Sequence, residues 1–288
     1  MSIFERTTSM HLNQRDFTFS TQMKPTNAPV YLLFVFCIMK AMTVFSQDKN
    51  QFEKETYMSS SGEYLPYRIL KPLNFDSTKK YPIVLFLHGA GERGDDNEAQ
   101  LTHGVSTFLI ERYRKGFPCF VIAPQCPAEG YWSSAKFDRE TYPIDFDYNY
   151  SYEITPALDA AIELLNSYLG DDYADTSRVY ITGLSMGGMG TFEAVARFPD
   201  LFAAAVPVCG GGDPDSYNKE TAQVPFWIFH GDADGVVPVK NSQKMYARLV
   251  ELGADVKYRE YPDVNHNSWD KAYSETALIP WVFSKRRR

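Results

Sequence analysis

Basic clusters are missing from this chain, apart from Arg286-Arg287-Arg288 at its end. A nucleic-acid binder needs a basic stripe, and the formal charge of −7 runs the other way, so no nucleic-acid partner is expected. Repeats and low-complexity tracts are also absent, which excludes a solenoid. No apolar run approaches the ~20 residues needed to cross a bilayer. Cysteine is scarce, with four in 288 residues. Cys119 and Cys126 bracket "CFVIAPQC", which reads as a strand. That extended stretch spans about 20 Å, far beyond the ~7 Å Cα limit for a disulfide. Cys209 could pair only if loops brought it close, so free, partly buried thiols are expected.

With 44% hydrophobic and 23% charged residues, the composition is that of an ordinary globular protein and fits one domain. The N-terminus differs. The run "APVYLLFVFCIM", 28–39, follows Lys24 and precedes "TVFS". A basic start, a short apolar core and a small residue at the end describe a secretory signal. The natural start is then read as Met23, with cleavage near Ser46–Gln47. Phe36 before Cys37 argues against a lipoprotein, and Lys40 against a retained anchor. Residues 1–46 carry four of the 29 basic and two of the 36 acidic residues. The remaining domain, 47–288, holds 25 against 34, or −9. It is expected to be exported, periplasmic or extracellular, without a stable membrane anchor or attraction to anionic surfaces.

Along that domain, 52–58 and 64–70 read as a hairpin. "YPIVLFLHG" and the stretches 120–123, 178–182, 203–208 and 226–229 are continuous apolar runs, the mark of strands buried on both faces. The stretch 256–261 alternates and reads as an edge strand. Helical patterns lie between them. Thr155-Pro156 starts one that Gly170 stops. Another covers 187–198, a third is capped by Asn241 and ends at Gly253, and a last helix covers 269–283. Alternating strands and helices give an α/β class, with a mostly parallel sheet of about eight strands and helices on both faces. Residues 127–152 follow a strand, are rich in Tyr, Phe and Asp, and show no clean period. Long loops of that kind are usually functional.

The informative stretch is "GLSMGG", 183–188. Strand, G-x-S-x-G, then helix is a nucleophile elbow. Gly183 and Gly187 keep side chains out of the space where strand and helix nearly touch. Ser185 is thereby presented at the carboxyl end of the sheet, and the Met186 N–H can donate to an oxyanion. A nucleophile needs a base, and the base an orienting carboxylate, in the order Ser, acid, His. Only His230 and His266 follow Ser185. His266, after the last strand, is the expected base, and His230 reads as a buried strand-end residue. In "HGDADGVVP" Asp234 is favoured as the acid because the turn has room to aim it inward. Asp232 reads as a turn residue, and Asp213 is a weaker rival. His230, Asp232 and Asp234 lack diagnostic metal spacing, so no metal and no cofactor is expected. The second oxyanion donor is expected from "LHGAGERGDDN", with Ala90 ahead of Gly91. His88 reads as structural.

These pieces, with "PQCP", "GLSMGGMGTFE" and "NHNSW", resemble the α/β-hydrolase superfamily across about 60–284. The similarity points to its esterase-D, feruloyl-esterase and polyhydroxybutyrate-depolymerase-like branch, whose bacterial members are also called predicted peptidases or phospholipase/carboxylesterase-like. The resemblance implies Ser185 as nucleophile, Asp234 as acid, His266 as base, Ala90 and Met186 as oxyanion donors, and Trp132 as a cleft residue for substrate. The related dienelactone hydrolases use a cysteine nucleophile, so Ser185 argues against that branch. A secreted serine esterase acting on a small-molecule or polysaccharide-linked ester, acetyl or feruloyl, is the resulting expectation. The alternatives are a serine peptidase of the same fold and a non-catalytic binding domain.

Overall fold

The computed structural model describes residues 48–138, 140 and 144–287. The expected signal segment, 1–46, and the expected cleavage near Ser46–Gln47 lie outside the described residues. Two strands open the domain, β1 (Phe52–Met58) and β2 (Tyr64–Leu70), and β3 (Tyr81–Leu87) follows. Then come α1 (Glu111–Gly116), β4 (Phe120–Pro124), β5 (Lys136–Asp138), β6 (Asp145–Asp147), α2 (Pro156–Leu169), β7 (Ala174–Leu184) and α3 (Met186–Arg197). The chain continues through β8 (Ala204–Val208), β9 (Phe226–Gly231), α4 (Lys240–Glu251), β10 (Val256–Tyr261), α5 (Trp269–Ala272) and α6 (Leu278–Phe283).

Eight strands form one sheet in the order β1-β2-β4-β3-β7-β8-β9-β10. The β1–β2 and β2–β4 pairs are antiparallel and the rest are parallel. Strand β3 shows why its apolar run has no gaps. Ile83, Leu85 and Leu87 join the core beneath α2 and α3, while Val84 and Phe86 join the core beneath α6. Side chains alternate across a strand, so covering both faces requires apolar residues at every position.

Helix α2 begins where the sequence places it. The Thr155 hydroxyl accepts from the Leu158 N–H at 3.3 Å, and Pro156 fills the first helical position. Asn241 does not cap α4. Val239 already has helical dihedrals and takes the cap position, and the Asn241 N–H donates to Pro238 O at 2.9 Å, so the helix starts two residues earlier, at Lys240. The tail is two short helices rather than one. Pro280 has no N–H and its ring crowds the carbonyl four residues back, so a helix containing it must restart within the preceding turn. Residues 127–152 contain a small antiparallel ribbon, β5 with β6, in which Phe137 faces Phe146. Among the described residues no helix is long and apolar enough to cross a membrane.

Candidate active site

Strand β7 and helix α3 meet at Ser185, which holds φ 53° and ψ −116°. A non-glycine residue there carries strain of roughly 1–3 kcal/mol. The turn is closed by contact on both sides. A Cβ on Gly183 would run into the Gly187 carbonyl, and one on Gly187 into the Leu87 carbonyl. Only glycine lets β3, β7 and α3 approach this closely, and the strained serine is what that approach produces.

Ser185 Oγ lies 2.8 Å from His266 Nε2, and His266 Nδ1 lies 2.7 Å from Asp234 Oδ2. The loop after β9 supplies the aspartate and the loop after β10 the histidine. Asn265 ties these loops together, its Oδ1 accepting from the His266 N–H at 2.7 Å and the Gly235 N–H at 3.0 Å. The Asp234 Oδ1 accepts from Val236 and Val237 N–H at 2.8 and 2.9 Å. Burial raises the Asp234 pKa, but hydrogen bonds from His230 and His266 outweigh it and hold the carboxyl well below the usual range. It is therefore ionised at neutral pH and able to hold His266 with Nδ1 protonated and Nε2 facing the serine.

Asp232 turns away, accepting from the Asp263 N–H at 2.7 Å. Asp213 accepts from the Tyr150 N–H at 3.1 Å and the Asp215 N–H at 3.0 Å, a loop-holding role. Of the three residues weighed as a metal set, His230 and Asp234 meet while Asp232 points away. His230, placed by the sequence at a strand end, does more than fill space: its Nε2 lies 3.1 Å from Asp234 Oδ2.

The loop after β3 carries Ala90 at the start of a short 3-10 turn. A first helical residue has no intrahelical acceptor for its N–H, and the same holds for Met186 at the start of α3. Ala90 and Gly91 both line the cleft. His88 holds this loop from beneath. Its Nε2 accepts from the Cys126 N–H at 2.9 Å, so its Nδ1 carries the proton and donates to Gly89 O at 2.6 Å. Burial pushes the His88 ring down to about 4.

A cleft of about 300 Å³ opens over Ser185 and His266. Tyr131, Phe137, Ile144 and Phe146 form one wall and Trp269 stands on another. Trp269 presents an edge to the His266 ring at 5.3 Å. Trp132 is not part of this lining, which corrects the sequence expectation. It is fully buried, edge-on to His88 at 5.4 Å, with its Cβ against Gly190 of α3. Neighbouring side chains point to opposite sides here, so Tyr131 reaches the cleft and Trp132 the core. Cys119, Cys126 and Cys209 are free and buried. Burial pushes the thiols of Cys119 and Cys126 up to about 12, which keeps them protonated and unreactive.

Comparison with known proteins agrees with this scaffold. A solved structure described as a thermostable esterase is 39% identical, with a TM-score of 0.75, covering 83% of this chain and 64% of that one. A protein of Oryza sativa subsp. japonica named "Probable carboxylesterase" is 28% identical over 200 residues, 66% of this chain and 83% of its own. A ferulic acid esterase from Anaeromyces mucronatus shares the fold at 18% identity, with a TM-score of 0.60, covering 81% of this chain and 90% of that one. The chain spans just under two thirds of the thermostable esterase it matches. The "Dienelactone hydrolase family" matches residues 114–276. This overturns the expectation that Ser185 sets the chain apart from the dienelactone hydrolases. The matched residues run from within α1 to just past α5 and include Ser185, Asp234 and His266. The chain is an α/β-hydrolase of the dienelactone hydrolase family.

Proposed function

We propose that the protein is an exported serine esterase that hydrolyses carboxylic esters through an acyl-enzyme. The observation that carries this is the unbroken series Asp234–His266–Ser185, at 2.7 and 2.8 Å, opening onto the cleft. In the first step the Ser185 oxygen attacks the ester carbonyl as His266 Nε2 takes the hydroxyl proton. The N–H groups of Ala90 and Met186 hold the negative oxygen of the tetrahedral intermediate, each donor being worth about 10²–10³ in rate. His266 then returns the proton to the leaving alcohol. Water, deprotonated by His266, releases the acid. Asp234 keeps the ring in the tautomer that accepts from serine.

The ring-lined wall supports an ester with a flat group, such as a feruloyl ester on a polysaccharide. Each ring contact contributes about 0.5–1.5 kcal/mol beyond its buried area. Export rests on the apolar run 28–39. The test is a panel of acetyl, butyryl, feruloyl and peptidyl substrates with wild type and Phe146→Ala. The expected result is ester hydrolysis without peptide cleavage, and a KM for the feruloyl ester raised about threefold to tenfold in the variant. Acetyl ester hydrolysis should change less. Faster cleavage of the peptidyl substrate would replace the esterase by a peptidase. Equal effects of Phe146→Ala on both esters would remove the aryl preference.

A further inference from the structure

We propose that His230 is a positioning residue that shares the charge of Asp234 with His266, and so sets the pH below which His266 stops accepting the serine proton. The proposal rests on the roles just given to Ser185, His266 and Asp234.

The geometry around Asp234 is unequal. Oδ1 is occupied by two backbone N–H groups. Oδ2 faces two histidines, His266 Nδ1 at 2.7 Å and His230 Nε2 at 3.1 Å. The His230 Nε2 also lies 2.9 Å from Val237 O. Its neighbours there are a carboxylate and a carbonyl, which only accept, so Nε2 carries a hydrogen and donates. At the other end of the ring, Nδ1 lies 2.7 Å from Ser242 Oγ, which lies 3.0 Å from Gly210 O. One hydroxyl hydrogen serves two acceptors. If it goes to Nδ1, His230 is neutral. If it goes to Gly210 O, the Nδ1 contact requires a second ring proton, and His230 is an imidazolium. In both states Nε2–H remains on Oδ2. His230 is fully buried, so no solvent competes for that bond.

The consequence is chemical. When the Ser185 proton moves to His266 Nε2, the imidazolium formed is stabilised by the negative charge on Oδ2. A second donor on that same oxygen draws part of the charge away. The resting His266 then stays neutral to lower pH, ready to act as a base.

Other polar and ionisable groups face this pair. Glu260 of β10 lies in register with His230, and hydrogen bonds from Tyr258 and Gln243 lower its carboxyl. The Cys209 thiol at the end of β8 and the Tyr148 hydroxyl are both pushed upward, chiefly by burial and also by Asp234. Asp232, in the same loop, is turned to the Asp263 N–H, and Ser242 on α4 does not ionise.

The experiment compares His230→Leu, which removes the donor, with His230→Gln, which returns an N–H without a titrating ring. Two readouts are taken: the pH profile of kcat/KM on an acetate ester, and the His266 ring titration followed by NMR, which needs no catalysis. In His230→Leu the acid limb and the ring titration should both move up by about half to one pH unit. The shift should vanish in His230→Gln and be smaller but upward in Ser242→Ala. A uniform loss of kcat with an unmoved limb and titration would make His230 a packing residue only, and a downward shift would also overturn the proposal. If His230→Leu does not fold, Ser242→Ala against wild type decides: an upward shift supports the proposal and none refutes it. Activity surviving in Ser185→Ala would instead overturn the esterase mechanism, while the NMR titration would still decide the role of His230.

Discussion

Replacing Asp234 by Asn preserves the shape of the acid and removes its charge. The amide must choose an orientation. Oδ1 accepts from two backbone N–H groups, at 2.8 and 2.9 Å, and these hold the amide oxygen in place. The NH2 then occupies the position of Oδ2, 2.7 Å from His266 Nδ1 and 3.1 Å from His230 Nε2. A donor facing Nδ1 forces the His266 proton onto Nε2, which can no longer accept from Ser185. The same NH2 opposes the N–H of His230. The wrong tautomer costs about 10³–10⁴ in kcat, which is about 4–5.5 kcal/mol of barrier. Asp232→Asn is the control. Its side chain accepts from the Asp263 N–H at 2.7 Å in an exposed turn, and an amide oxygen does the same. Its kcat should stay within about threefold of wild type, since exposed changes away from such features cost little. Initial rates on an activated acetate ester, with circular dichroism to check folding, measure both. Asp234→Asn within tenfold of wild type, or Asp232→Asn as damaging as Asp234→Asn, would refute the assignment of the acid.

Trp132→Ala should act on stability rather than recognition. Removing a fully buried ring costs about 3–5 kcal/mol, readable by urea unfolding, while KM for an acetate ester should stay within about twofold because the ring lies outside the cleft. A tenfold KM change with unaltered stability would put Trp132 back in the binding surface. His88 should make the fold acid-sensitive. Its ring is neutral in the folded chain down to about pH 4 against 6.5 for a free ring. Between those values the unfolded chain binds a proton that the folded one refuses, so stability falls as pH falls through that window, by about 3 kcal/mol. Unfolding titrations at several pH values should show that slope, and His88→Gln should flatten it; an equal slope in both would place the acid sensitivity elsewhere.

What the sequence could carry depended on how local each signal is. The elbow is encoded within a few residues, because close approach demands glycine at 183 and 187. The central strands are legible because a sheet covered on both faces needs unbroken apolar runs, as in β3. The preference for Asp234 over Asp232 came from the room available in one turn. The partnership of His230 with Asp234 was not legible. A histidine at a buried strand end looks the same whether its Nε2 meets a carboxylate or only a carbonyl. The place of Trp132 was hidden for a related reason: it and Tyr131 are adjacent rings that face opposite ways, and Trp132 packs on His88 and Gly190, far away in sequence. The ribbon β5–β6 is too short to show a period, so the pairing of Phe137 with Phe146 leaves no mark in the sequence. The break in the tail is signalled by Pro280, whose ring disturbs the preceding turn.

The most direct test of serine catalysis is the steady-state rate of Ser185→Ala beside wild type on a small acetate ester, with electrospray mass spectrometry of the enzyme quenched during turnover. The expected result is a kcat lower by about 10⁴–10⁶ with the fold intact, and an acyl adduct on Ser185 in the wild type that is absent from the variant. A variant that keeps more than a tenth of the wild-type rate, or an adduct on another residue, would contradict the nucleophilic role of Ser185.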